Sequence, residues 1–128
     1  MPAQVLYNSP LFNKSATVAR LMGDRWYILS AKHGLLSPSQ VIEPYDETLN
    51  EMPKSERLRW AEGVLAHLLT LTKCQDTVVF LAGKRYREFI APELQREGYS
   101  VDIPMEGMPI GKQLSWLNRA ITRAEAEV

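Results

Sequence analysis

The chain has 128 residues, 45% of them hydrophobic and 23% charged, the balance of one globular domain that buries roughly two-thirds of its extended-chain surface. Fifteen basic residues offset fifteen acidic ones, which excludes a general electrostatic pull on nucleic acid and leaves only local patches to supply one. The single cysteine, Cys74, excludes an intrachain disulfide, and Met1-Pro-Ala-Gln lacks the charged and apolar stretches of a signal peptide, so a cytoplasmic domain without a membrane span is expected.

In chain order, Val5-Leu6-Tyr7-Asn8 is a short apolar run, and Ser9-Pro10 reads as an N-cap followed by proline in the first helical turn. Leu11, Ser15, Val18, Ala19 and Met22 then recur at helical spacing and Gly23 stops the helix. Arg25 to Ser30 has the pattern of a strand buried on both faces. From Ala31 to Glu51, prolines, a glycine and turn formers predict about twenty residues without regular structure, anchored by Leu35, Leu36, Val41, Ile42 and Tyr45. A long helix opens near Pro53, with one stripe of Leu58, Ala61, Leu65, Leu68 and Thr72, widened by Trp60, Val64 and Leu71. Thr77 to Ala82 is the clearest strand, ended by Gly83. Lys84 to Gln95 reads as helix with Pro92 inside it, which predicts a kink or two short helices. Gly98 caps that segment, Tyr99 to Ile103 alternates as an edge strand, and a loop from Gly107 to Gly111 leads into a last helix carrying Leu114, Leu117, Ala120 and Ile121. The charged tail from Arg123 is expected to fray. Alternating helices and strands predict a small three-layer α/β domain over residues 1–128, with a mostly parallel sheet of three or four strands.

In open α/β sheets ligands bind beyond the carboxyl ends of strands, which draws attention to Ser30 and the residues after it. His33 is the first candidate for acid or base work, the usual role of an imidazole; the plainer alternative is a ring satisfying backbone groups at a strand end. Lys32 beside it can hold a phosphate or carboxylate, or simply be solvated. Glu43 and Asp46 flank Pro44-Tyr45, so one can act as a general base, although Asp46 fits a helix cap better. Gly83-Lys84-Arg85 opens a helix after the best strand and can receive an anion, but it lacks the spacing of a Walker loop. Gly111-Lys112-Gln113 presents amide donors at another helix start, and Tyr7, Asn8 and Ser9 lie at the mouth of the first. The histidines, His33 and His67, stand far apart with no cysteine pair, so neither a metal nor another cofactor is expected.

Three blocks of residues resemble a bacterial and phage domain family of unknown function. They are Leu6-Tyr7-x-Ser9-x-x-Phe12, Trp26-x-Ile28-Leu29-Ser30-Ala31-Lys32-His33-Gly34-Leu35 and Ile42-Glu43-Pro44-Tyr45-Asp46-x-Thr48-Leu49. Leu81-Ala82-Gly83-x-x-Tyr86 and Gly107-x-x-Ile110-Gly111-x-Gln113-Leu114 extend the likeness over nearly the whole chain. Members of that family usually begin with a strand ending in a Cys-Gly-Lys-Lys-type turn, which is expected to be absent from a chain starting at Met1-Pro2. More distantly, Leu29-Ser30-x-x-x-Gly34-x-Leu36-x-Pro38 with Pro44-Tyr45 is similar to the YaaA peroxide-stress family, which implies a link to DNA and oxidative damage. The amino-terminal pattern is also faintly similar to a domain of archaeosine-synthesis enzymes.

These resemblances and the strand-end residues together imply a domain that binds a nucleotide, a nucleobase or DNA or RNA. Lys32, Lys84 and Arg85 would meet phosphate, and Tyr7 or Tyr45 would stack on a base. If it is an enzyme, the expected reaction is attack at a base–sugar bond, with Glu43 or Asp46 activating water and His33 assisting. The remaining ligand-binding expectations are Ser9, Ser30, Gly34, Gly83, Gly111 and Gln113. Alternatives are a non-catalytic DNA-binding stress protein and a regulatory module without a ligand.

Overall fold

The computed structural model describes residues 9–42 and 48–126. The chain is of mixed α/β class and runs α1 (Pro10–Met22), β1 (Ile28–Ser30), β2 (Gly34–Leu36), a single 3-10 turn (Leu49–Glu51), α2 (Lys54–Leu71), β3 (Thr77–Val79), α3 (Lys84–Arg87), α4 (Ala91–Arg96), β4 (Ser100–Asp102) and α5 (Ile110–Ala126). Its contacts fall into two compact units. One comprises residues 1–28, 37–43 and 105–128, and the other residues 29–36 and 44–104.

In the first unit, α1 starts where Ser9-Pro10 predicts. The Ser9 hydroxyl accepts a hydrogen bond from the Phe12 N–H at 3.0 Å, and Gly23 closes the helix with its N–H donating to Ala19 O at 2.9 Å. Helices α1 and α5 pack on each other, and Lys14 Nζ donates to Asn118 Oδ1 at 2.6 Å. Among the described residues, Val18, Ile28, Ile42, Met105 and Leu117 are the buried apolar side chains of this unit. Helix α5 runs to Ala126, into the charged tail from Arg123, a segment that carries no proline or glycine to end it.

The second unit is built around α2. Ala61, Val64 and Leu68 form its buried stripe, and the helix packs on β2. The run after Ser30 is not without regular structure, contrary to the expectation from its turn formers. Strand β1 is followed within three residues by β2, and the pair forms a hairpin, since a connection that short can only join antiparallel strands. The reversal depends on Gly34, whose φ of 75° is a backbone conformation that a side chain would strain. Further along, Thr48 caps the 3-10 turn, its hydroxyl accepting from the Asn50 N–H at 3.3 Å.

Strands β3 and β4 pair in parallel, with Thr77 opposite Ser100, Val78 opposite Val101 and Val79 opposite Asp102. A parallel pair needs a long crossover, and α3 and α4 supply it. Pro92 divides that crossover as predicted: α3 ends at Arg87 and α4 begins at Ala91, with Pro92 in its first turn, where a missing N–H costs nothing. Among the described residues the strands therefore form two pairs, one antiparallel and one parallel, instead of one larger sheet.

Candidate functional site around the hairpin turn

The turn Ala31-Lys32-His33 connects β1 to β2 in the second unit. Ser30, which has no exposed surface, holds this turn from within: its Oγ accepts a hydrogen bond from the His33 N–H at 3.0 Å. That bond is of the serine-turn kind, in which a hydroxyl replaces a backbone acceptor and fixes the next residues. Gly34 lies against α2, and a Cβ built on it would stand 3.6 Å from Val64 Cγ2. The outcome is a rigid support with Lys32 and His33 both exposed at its tip.

Trp60 of α2 ties this turn to the rest of the unit. Its Nε1–H donates to Ser30 O at 2.8 Å, so the indole satisfies a backbone acceptor on a residue shut off from water. The same ring meets Tyr86 of α3 edge to face, with centroids 5.8 Å apart and planes at 89°. The Tyr86 hydroxyl lies 3.5 Å from Thr48 Oγ1, at the limit of a hydrogen bond, which brings the 3-10 turn to the same place. Turn, aromatic pair and α3 thus form one connected assembly.

The base of α3 is charged. Arg57 Nε lies 3.4 Å and Arg85 Nη1 3.6 Å from Glu88 Oε1, so one carboxylate faces two guanidinium groups. These are ion-pair separations without hydrogen-bond geometry, and Arg57 Nε and Glu88 Oε1 stay buried with no hydrogen-bond partner. Arg57 spends its Nη1 on Met52 O at 2.7 Å and its guanidinium carbon sits 6.0 Å from the Phe89 ring centroid.

The other residues singled out from sequence are spread over both units. Gly83 caps α3 with open space around it and Lys84 is exposed, whereas Arg85 is engaged with Glu88. Gly111 and Gln113 belong to the first unit and contribute to its helix start: Gln113 N–H donates to Pro109 O at 3.0 Å and its side-chain amide to Met108 O at 2.8 Å. Ser9 is the cap of α1. Tyr7, Glu43, Tyr45 and Asp46 lie outside the described residues. Among the described residues, no three His, Cys, Asp or Glu side chains converge as a metal site would require, and no helix is long and apolar enough to cross a membrane. Trp60, Arg57 and Glu88 were not legible as site residues. Trp60 carried one usable signal, because an indole on an apolar stripe still has an N–H that needs an acceptor.

The model of the DUF6884 family, described as a family of unknown function, matches residues 1–119. The chain belongs to that family. This DUF6884 chain is also 30% identical over 125 residues to the uncharacterized protein YfjM of Bacillus subtilis (strain 168), an alignment that takes in 93% of the chain and 79% of YfjM. No solved structure matches it.

Proposed function

We propose that this DUF6884 chain binds a nucleotide or a stretch of nucleic acid, using the hairpin turn and α3 of its second unit. The observation that carries the reading is the position of Trp60. Its bond to Ser30 O and its contact with Tyr86 join a turn presenting Lys32 and His33 to a helix that begins with Lys84. Cations supply attraction to phosphate, and a half-exposed aromatic and an imidazole offer faces and donors to a base. The strand-end similarity to the YaaA peroxide-stress family favours the same class of partner.

The test is fluorescence anisotropy with a labelled single-stranded oligonucleotide at increasing salt. Affinity falls steeply with salt, and Lys32→Ala weakens binding while lowering the salt slope by about one. Absence of binding to oligonucleotides and to mononucleotides at low salt would refute the proposal. Chromatography of the same mixtures separates binding from catalysis: a binding module releases no free base and keeps its affinity in Glu43→Gln, whereas a base–sugar hydrolase releases base and loses that release in the variant.

A further inference from the structure

Among the described residues, Arg87 has no carboxylate partner. Its Nε is buried and has no hydrogen-bond partner, and the side chain makes no ion pair among the described residues. A buried unpartnered donor costs free energy, and a half-buried cation without a carboxylate costs more, so its retention calls for an explanation. The neighbouring charges sharpen the point. The sequence Lys84-Arg85-Tyr86-Arg87-Glu88 places three cations next to one carboxylate. Glu88 is taken by Arg85, three residues before it, and by Arg57 of α2. Lys84 and Arg87, also three apart on α3, therefore share one helical face, and neither has an ion pair among the described residues.

We infer that Lys84 and Arg87 form a phosphate clamp, and that Arg85 is structural. The inference rests on the proposed nucleotide reading and deepens it, naming the phosphoryl group as what α3 recognises. A lysine and an arginine three residues apart on a helix suit this ligand: the ammonium acts as a point charge and the guanidinium offers paired donors to two oxygens. Glu88 contributes by removing Arg85 from competition, so the anion meets a defined pair. A phosphate placed there gives the Arg87 guanidinium a counter-charge that no described carboxylate supplies.

The experiment uses the full chain and inorganic pyrophosphate, followed by thermal shift and by calorimetric titration against sodium chloride of equal ionic strength. Pyrophosphate raises Tm and binds saturably, whereas chloride does neither. Lys84→Ala weakens pyrophosphate binding about tenfold, and Arg59→Ala, on an exposed position of α2, leaves it within twofold. Arg87→Met adds a readout that a purely structural arginine would not produce: Tm of the free protein holds or rises, and the pyrophosphate-dependent rise disappears. Loss of stability in Arg87→Met with an intact pyrophosphate response would overturn the clamp, as would equal effects of pyrophosphate and chloride on the unaltered chain. Because pyrophosphate carries no base, its failure to bind condemns the clamp alone, while failure of oligonucleotides to bind with pyrophosphate still bound condemns the wider reading alone.

Discussion

Replacing Trp60 by Phe tests whether the indole N–H organises the second unit. Phe keeps an aromatic ring facing Tyr86 but removes the donor that stands 2.8 Å from Ser30 O. Ser30 has no exposed surface, so water cannot replace that donor without opening the hairpin. Losing one partner of a buried hydrogen bond costs about 1–3 kcal/mol. At about 4 °C per kcal/mol for a chain of this length, Tm falls by about 4–12 °C. Urea denaturation followed by far-ultraviolet circular dichroism measures it, with the midpoint moving and the slope m unchanged. A loss below about 0.5 kcal/mol would refute the reasoning, because the Ser30 carbonyl would then not depend on Trp60.

Three further outcomes rest on single contacts. Gly34→Ala, forced to keep a φ of 75°, loses about 1 kcal/mol in urea denaturation through backbone strain, since the added methyl meets Val64 only at an ordinary 3.6 Å. Ser9→Ala removes the acceptor of the Phe12 N–H and lowers stability by about 1 kcal/mol, while Ser9→Asp restores it. Leu117→Ala, at a position with no exposed surface in α5, costs about 2–5 kcal/mol in the same assay, with the denaturant midpoint falling accordingly.

Local rules made much of the fold readable. Ser9-Pro10 marked the start of α1 to the residue, and Pro92 marked the break between α3 and α4, because cap and proline effects act over three or four positions. The β3 run and the β4 run were both recognised, though each strand is shorter than its apolar pattern. Pairing was another matter. The stretch after Ser30 looked like a loop because Gly34 and Leu35-Leu36 do not alternate, and only α2 packed behind β2 makes that run a strand. The site divided in the same way. Lys32, His33 and Lys84 could be picked out as polar residues near strand ends, but that Arg57 and Arg85 are engaged with a carboxylate depended on Glu88, whose two partners lie three residues back and in another helix. No spacing rule reaches from Arg57 to Glu88.

The pairing of α1 with α5 has a consequence for the order in which the chain acquires structure. The first unit closes only when residues from both ends of the sequence meet, as the Lys14–Asn118 bond shows, whereas the second lies within residues 29–104. Bringing α1 and α5 together spans residues 23–109, a closure whose length-dependent entropy is about 4 kcal/mol. During synthesis α1 is made well before α5, the helix it packs on, while the hairpin, α2 and the β3–β4 crossover follow one another closely in the chain. The unit proposed to bind phosphate thus matures before the one that contains α1, and amide protection in α2 should precede that in α1 in pulse-labelled hydrogen exchange.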